Sequence, residues 1–363
     1  MNQKFYVADL HGVDWKGYHD AYARFLPHIR NNYDFAEMLG EMLGELNGSH
    51  TGCRYAPPQE NTDQTASLGL FFDPKPAAKG LRIAEVLASG PLTLGAAKAK
   101  PGQLLLAIDG QELRADEDYT PLLNRKAGHF VLVKLQDPKS GDTWEVPVKA
   151  ISPQQEAQLL YQRWVDRSRA LVDKASGGRL GYVHVRGMND PSMRTVVDEV
   201  LGRFPDKEAL VVDTRFNGGG SLHEVLSDFL SGKKYFDIIP HGQAWGYEPQ
   251  LKWIKPSIVV MGEGNYSDAH LFPVAYKLKG LGRTVGMPVP GTGTFVWWEA
   301  QIDHSLVFGI PEGGWRTPDG KFCENNQLEP DLRVANNPAA LAAGTDEQLQ
   351  AAVKALLSEL KPK

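Results

Sequence analysis

Residues 209–226 read ALVVDTRFNGGGSLHEVL, so an uninterrupted apolar run leads into three consecutive glycines and then into a helical pattern. The run predicts a strand buried on both faces, as in a parallel sheet. Gly218, Gly219 and Gly220 allow a close backbone approach and leave N–H groups unpaired where the helix begins. Such N–H groups suit a phosphate or an oxyanion, but no Gly-Lys-Ser/Thr sequence follows, which disfavours phosphate. A structural turn without chemistry accounts for this motif equally well.

A second stretch, residues 257–272, reads SIVVMGEGNYSDAHLF and repeats this order of buried strand, short turn and helix. Ser267 falls at the predicted start of the helix, where a serine most often serves as an N-cap. Catalytic serines also occupy such turns, because the next backbone N–H can serve an oxyanion. The flanking residues Asn265 and Ala269 exclude the G-x-S-x-G elbow. One turn that offers N–H groups beside one that offers a hydroxyl suits acyl transfer.

A serine nucleophile needs a base, and the chain has ten histidines. His184 lies inside a predicted strand, where we expect it to be packed. His223 and His270 lie on helices beside the two turns and are minor candidates. His50 differs from these because it follows a serine just beyond the predicted end of a helix.

The rest of the chain predicts an α/β protein of several parts. From residue 154 onward, strands and helices alternate, which favours a largely parallel sheet. Residues 64–151 carry five or six short strand patterns with turn signals between them, typical of a small barrel-like domain. Residues 1–50 have helical periodicity, with Asp34 predicted to cap the second helix.

Composition narrows the function classes. The 363 residues suggest two or three domains, and 42% hydrophobic with 23% charged residues is ordinary for a soluble globular protein. A net charge of −5 gives no sign of the basic surface that nucleic-acid binding requires. Two cysteines rule out a disulfide scaffold or a Cys-rich zinc site, and no H-E-x-x-H motif supports a metalloenzyme. No apolar run approaches the roughly 18 residues of a membrane span, and the first residues lack the apolar core of a signal peptide.

Six segments in this order resemble the tricorn-like branch of the tail-specific, or C-terminal-processing, serine proteases. The resemblance covers nearly the whole chain and is specific as an ordered set. The segments are LHGVDW (10–15), GELNGSHT (44–51), GRLGYVHV (178–185), VVDTRFNGGG (211–220), NYSDAHLFPVAYKLKGLGRTVG (265–286) and ENNQLEPD (324–331).

The resemblance implies a multidomain α/β fold in three parts. Residues 1–63 would form a small helical N-terminal subdomain, and residues 64–151 a β-rich domain similar to a PDZ module. Residues 152–363 would form an α/β catalytic domain similar to the ClpP/crotonase fold.

The resemblance also implies a Ser-His-Ser-Glu tetrad. Ser267 matches the nucleophile and His50 the general base. Ser49 matches the accessory serine, and Glu324 the carboxylate that holds the base through it. The expected function is hydrolysis of peptide bonds in unfolded or short peptides through an acyl-enzyme, as an endopeptidase or oligopeptidase.

Further residues carried over from the resemblance concern the oxyanion and the substrate. The backbone N–H of Asp268 matches one oxyanion donor, and Gly219 is expected to supply the other, with Gly220 as the alternative. Archaeal members use an acidic residue to select basic side chains, and Asp237 falls near that region. The resemblance implies peptide substrates without metal or cofactor, and it permits a homo-oligomer. We expect a soluble protein, which is either cytoplasmic or exported to the periplasm or the exterior.

Two rival functions keep the same fold. Tail-specific proteases with a Ser-Lys dyad carry the lysine about 25 residues after the nucleophile, but no lysine occurs between Lys279 and Lys321. A catalytically silent peptide-binding protein is the other alternative, against which all four tetrad positions hold suitable residues.

The two cysteines fall next to predicted site residues. Cys53 lies three positions after His50, and Cys323 directly precedes Glu324. They are either two unrelated buried cysteines or an oxidation-sensitive pair that forms a disulfide between the predicted subdomains.

Overall fold

A computed structural model describes residues 1–59, 62–75, 79–302 and 304–360. It has a mixed α/β architecture with parallel and antiparallel sheets, which confirms the predicted fold class at that level. Within the described ranges, no helix is both long enough and apolar enough to cross a bilayer.

The chain divides into two compact units. The larger unit combines Met1–Pro58 with Ser168–Lys363, and the smaller unit is Gln59–Arg167. The first 58 residues therefore belong to the same unit as the last 196. The three-part division predicted from the sequence is a finer one and stays a prediction.

The N-terminal segment forms helix α1, Trp15–Ala23, helix α2, Asn32–Gly44, and strand β1, Cys53–Tyr55. Asp34 does not cap α2, so that prediction is wrong. The cap is Asn31, whose extended backbone lets Oδ1 accept from the Asp34 amide at 2.9 Å. Asp34 lies inside the first turn, where its negative charge still favours the helix N-terminus.

The smaller unit is built on an antiparallel sheet. Along its longest strands, alternate residues such as Val131, Val133 and Leu135 are buried, as a half-covered sheet requires. The strand patterns predicted for residues 64–151 each correspond to a strand, and the short strand β5 matches none of those patterns. The strands are β2 Leu70–Phe72, β3 Leu81–Val86, β4 Leu104–Ile108, β5 Gln111–Glu112, β6 Phe130–Gln136 and β7 Thr143–Lys149. Their order is β2-β3-β4-β6-β7, with β5 paired to β4.

The alternation of strands and helices predicted from residue 154 onward is confirmed. In chain order the elements are α3 Pro153–Ala175, β8 Leu180–His184, α4 Asp190–Val197 with a π-helical extension Asp198–Arg203, β9 Ala209–Asp213, α5 His223–Leu230, β10 Phe236–Ile238, β11 Gly246–Glu248, β12 Ser257–Met261, α6 Asp268–Leu278, β13 Thr284–Gly286, β14 Thr294–Ala300, β15 Leu306–Gly314, β16 Leu332–Arg333, α7 Pro338–Ala342 and α8 Glu347–Glu359.

A five-stranded parallel sheet, ordered β16-β13-β12-β9-β8, forms the centre of the larger unit. Every residue of β8, β9 and β12 is buried, which matches their continuous apolar sequences. Because β9, β12 and β13 are parallel neighbours, their carboxyl ends meet at one edge of the sheet. The glycine turn, the Ser267 turn and the segment after β13 all leave the sheet there.

The sequence patterns did not predict the antiparallel sheet β1-β15-β14 or the β10–β11 hairpin. In β14, Phe295, Trp297 and Trp298 are each about half exposed, so the strand shows no alternation of buried and exposed residues. In this sheet Cys53 pairs with Phe308. The N-terminal segment is thereby joined to residues more than 250 positions later.

An ion network is buried where β9 ends. Arg215 Nη2 lies 2.7 Å from Asp213 Oδ2, and Nη1 lies 2.9 Å from Asp346 Oδ2. Tyr182 donates its hydroxyl to Asp213 Oδ2 at 3.0 Å. Burial raises the pKa of Asp213, but the charge and hydrogen bonds of Arg215 outweigh it and hold this pKa below its usual value. The network joins the end of β9 to the cap of α8.

We predict that Arg215→Met destabilises the protein by about 3–5 kcal/mol, because two buried carboxylates lose their cation. Urea unfolding of both variants and the wild type measures the loss. Arg194→Met is the matched control, since Arg194 pairs with Asp190 at an exposed site and little should change. Equal midpoints for the two variants would contradict the role given to the network.

Candidate active site

The two turns predicted to be neighbours are in contact. Gly219 has a φ of +99°, and a Cβ added there would lie 2.6 Å from Ser267 Cβ and 3.1 Å from the Asp268 nitrogen. No side chain fits between the glycine turn and the Ser267 turn. The amide of Gly219 donates to Asn217 Oδ1 at 2.9 Å. In contrast, a Cβ on Gly220 would overlap the carbonyl oxygen of Met188.

Ser267 has an unusual backbone conformation for a residue with a side chain, with φ 56° and ψ −125°. It precedes α6, yet its side chain makes no capping hydrogen bond, so the simple N-cap interpretation does not hold. Its amide instead donates to Thr292 Oγ1 at 2.8 Å. A strained position fixed by its surroundings is characteristic of functional residues.

His50, Ser49 and Glu324 form a connected hydrogen-bond chain. His50 Nδ1 lies 2.8 Å from Ser49 Oγ, and Ser49 donates its hydroxyl to Glu324 Oε2 at 2.8 Å. The Ser49 amide donates to the other carboxylate oxygen. His50 is 9% exposed and Glu324 only 2%. These three predicted residues, 275 positions apart at the extremes, are therefore brought together.

Tyr266 holds His50 beside the Ser267 turn. The His50 amide donates to the Tyr266 hydroxyl at 2.8 Å, and the two ring centroids are 4.8 Å apart. Among the described residues, no hydrogen bond joins the Ser267 hydroxyl to the His50 ring. Such bonds are often long without substrate and shorten when the reacting complex forms.

Asp268 connects the starts of two helices. Its Oδ2 accepts from the amides of Leu222 and His223, at 2.5 and 2.9 Å. Its Oδ1 is bonded to His223 Nδ1. The described hydrogen bonds include none donated by the Asp268 amide, which points from the first position of α6 and remains open to an acceptor.

The other candidate histidines have different partners. His184 is buried with Nε2 2.9 Å from the Arg215 carbonyl oxygen, as the packed interpretation predicted. His270 is 1% exposed, and its Nδ1 accepts from the Thr292 amide at 3.2 Å. His223 is held by Asp268. His50 thus keeps the best position for a base.

Sequence reasoning missed Tyr266, Thr292 and Thr294. Thr294 is 1% exposed, and its Oγ1 lies 2.9 Å from Ser49 Oγ and 3.1 Å from His50 Nδ1. The available signal was the pair of glycines, Gly291 and Gly293, that alternate with these threonines and mark a close backbone approach.

The remaining predicted residues are Asp237 and the two cysteines. Asp237 is on the β10–β11 hairpin, half exposed, and paired with Lys234, which lies two residues before β10. Cys53 and Cys323 are both free thiols, so the disulfide alternative is not formed. Within the described part of the chain, no three His, Cys, Asp or Glu side chains gather as metal ligands would.

Comparisons with known proteins agree on one family. The family model "Peptidase family S41" matches residues 179–334, and "Tricorn protease C1 domain" matches residues 1–44. "Tricorn protease homolog 1" of Streptomyces coelicolor is 29% identical over 99% of this chain and 34% of its own length. "Tricorn protease" of Thermoplasma acidophilum is 24% identical over 94% of this chain and 32% of its own length. The chain is thus similar to the tricorn-like members of peptidase family S41.

A crystal structure of tricorn protease has the same fold as this chain. The TM-score is 0.87 at 22% identity, over 99% of this chain and 35% of that chain. The chain spans about a third of the length of these relatives. The activity, substrates and assembly of the longer relatives do not follow for this chain from a match to a third of their length.

Burial sets the electrostatics of the candidate site. It lowers the pKa of the His50 imidazole below 6.5 and that of His270 to about 4, because the charged ring loses water. Burial also raises the pKa of the Glu324 carboxyl, against hydrogen bonds from Ser49 and from the Gly293 amide. A neutral His50 is the form that a general base requires.

We predict that His50 titrates below pH 6.5 and His270 near pH 4, because desolvation disfavours the imidazolium of each. Proton NMR of the histidine rings measures both midpoints, with His50→Gln and His270→Asn variants assigning the two resonances. A neutral His50 then persists to lower pH than an unburied imidazole would. A His50 midpoint at or above the usual value would contradict the buried, uncharged base.

Proposed function

We propose that this chain hydrolyses peptide bonds with a Ser-His-Ser-Glu tetrad. Ser267 is the nucleophile, His50 the general base, Ser49 the relay and Glu324 the carboxylate. The observation that carries the proposal is the chain of 2.8 Å hydrogen bonds from His50 Nδ1 through Ser49 to Glu324. It gives the buried imidazole a fixed orientation with Nδ1 occupied and Nε2 available for a proton.

The reaction would proceed through an acyl-enzyme. Ser267 Oγ attacks the peptide carbonyl carbon while His50 Nε2 takes the hydroxyl proton. The imidazolium then returns that proton to the amine nitrogen as the C–N bond breaks, which leaves an ester on Ser267. Water, deprotonated by His50, hydrolyses the ester and releases the second peptide. Glu324 stabilises the imidazolium through the Ser49 hydroxyl rather than by direct contact.

The oxyanion of the tetrahedral intermediate would lie between two backbone amides. The Asp268 amide is one donor, since it follows the nucleophile and has no acceptor among the described residues. The Gly219 amide is the favoured second donor because Gly219 packs against Ser267. It already donates to Asn217 Oδ1, so an oxyanion must compete for it. Gly220 stays the alternative. Loss of one such donor typically costs about 10²–10³ in rate.

The substrate class follows from the resemblance and stays a proposal. We infer an endopeptidase or oligopeptidase that acts on unfolded or short peptides. The smaller unit is proposed to be PDZ-like, with strand addition of a peptide beside residues 67–72, and the catalytic part to be ClpP/crotonase-like. Asp237 would favour basic side chains before the cut, and a homo-oligomer is proposed from the relatives alone.

The alternatives have weaker support. Lys277 and Lys279, the first two lysines after Ser267, are paired with Asp331 and Asp228, which argues against a Ser-Lys dyad. A silent peptide-binding protein has no need of a strained serine beside a buried, hydrogen-bonded histidine.

We predict that Ser267→Ala lowers peptidase activity by on the order of 10⁴-fold or more, because members of a nucleophile–base unit fail together. Cleavage of a peptide library, followed by mass spectrometry, measures the loss, and a fluorophosphonate should label the wild type only. Ser231→Ala, which removes a hydroxyl bonded to a backbone carbonyl of its own helix, is the control. Labelling that survives Ser267→Ala would refute the nucleophile.

We predict that Ser49→Ala reduces kcat less than His50→Ala does. His50 moves the proton, whereas Ser49 transmits orientation, and Thr294 Oγ1 remains 3.1 Å from His50 Nδ1 when the Ser49 hydroxyl is removed. Steady-state kinetics on one fluorogenic peptide compares the two. A larger loss for Ser49→Ala would reverse the roles.

A further inference from the structure

The segment Thr292–Thr294 contacts both halves of the proposed site. Thr292 is largely buried; its Oγ1 accepts from the Ser267 amide at 2.8 Å, and its own amide donates to His270 Nδ1 at 3.2 Å. The nucleophile turn is thereby tied to the segment that follows β13.

Gly293 ties the same segment to Glu324. Its amide donates to the Glu324 carboxylate. A Cβ at Gly293 would overlap Cys323 Cβ and lie 2.9 Å from the Glu324 nitrogen, so only glycine fits there. Thr294, the next residue, is therefore held at a fixed place against Ser49 and His50.

The hydrogen bonds around Ser49 can be assigned by counting protons. The hydroxyl of Ser49 has a single proton, and the Glu324 carboxylate, which only accepts, receives it at Oε2. The contact between Ser49 Oγ and Thr294 Oγ1, 2.9 Å long, must then use the Thr294 proton. Ser49 Oγ is left with one lone pair, which accepts from His50 Nδ1–H.

We propose that Thr294 is a positioning residue of this site, whose hydroxyl donates to Ser49 and so directs the Ser49 proton to Glu324 and the Ser49 lone pair to His50. This inference rests on the proposed tetrad and deepens it. Without the Thr294 hydroxyl, Ser49 Oγ loses a donor, and the direction of its own proton is no longer fixed. The hydrogen-bond relay from His50 through Ser49 to Glu324 then competes with other orientations of the Ser49 hydroxyl.

Thr294 also faces the charged form of the base. Its oxygen lies 3.1 Å from His50 Nδ1 and can share the Nδ1 proton when the ring becomes an imidazolium. Among the described residues, titratable groups near the ring include Glu324, which acts through Ser49, and Tyr266, whose ring packs at 4.8 Å. Loss of the Thr294 oxygen therefore destabilises the cation and lowers the pKa of His50 further.

The test compares Thr294→Val, which keeps the branched shape, with Thr294→Ser, which keeps the hydroxyl. We expect Thr294→Val to lower kcat about tenfold with KM little changed, as for one lost hydrogen bond to a charged group. The acid limb of its pH–rate profile should move to lower pH by up to about one unit. Thr294→Ser should restore both values to within about twofold. The control is Thr284→Val, which removes a buried hydroxyl bonded to Asp331 and should leave the acid limb in place.

The outcomes separate this inference from the tetrad itself. Equal damage from Thr294→Ser and Thr294→Val, or an unmoved acid limb in Thr294→Val, overturns the role of Thr294 while Ser267-dependent activity upholds the tetrad. If no peptide is cleaved, the rate of fluorophosphonate labelling of Ser267 replaces kcat in the same comparison. A wild type that is neither active nor labelled overturns both.

Discussion

Because β9 and β12 run parallel and pair Val212 with Val259, the turns that follow them leave the sheet side by side. Gly219 is then pressed against Ser267, with less than 3 Å for any Cβ. A shift of one residue in this register would move both buried strands out of their core contacts and separate the two turns. The close approach of Gly219 to the nucleophile turn is thus a consequence of strand pairing, and glycine is the residue that this approach permits.

The base is held by neutral hydroxyl groups placed between it and its carboxylate. Glu324 is buried, and among the described residues no cation pairs with it, which is costly unless its oxygens are satisfied. Three donors serve it: the Ser49 amide, the Ser49 hydroxyl and the Gly293 amide. With the carboxylate one hydroxyl away, burial dominates and the pKa of His50 stays low. The base is therefore more readily neutral than an unburied imidazole, while the negative charge remains near enough to stabilise the transient imidazolium.

The sequence predicted the parts that depend on local pattern. The apolar runs of β9 and β12 identified the sheet, and the glycines and Ser267 identified the turns at its edge. The assignment of Ser49, His50 and Glu324 came from the family resemblance, because no periodicity relates residue 49 to residue 324. Tyr266 and Thr294 could not be found in this way, since their roles arise from hydroxyl contacts made after distant segments close. The half-exposed aromatic residues of β14 hid the antiparallel sheet that brings those segments together.

Asp268 shows how the same closure joins structure to chemistry. Helix α5 begins after Leu222, whose side chain cannot accept a hydrogen bond, and it has no cap of its own. The carboxylate of Asp268 supplies that cap from the start of α6, where it accepts from two amides of the α5 terminus. A negative charge is favourable there because unpaired N–H groups converge. While the side chain is held in this way, the Asp268 amide is kept beside Ser267 and Gly219. The residue that fastens two helix starts together thus also fixes the backbone donor beside the nucleophile, so the position of that donor depends on the packing of α5 against α6.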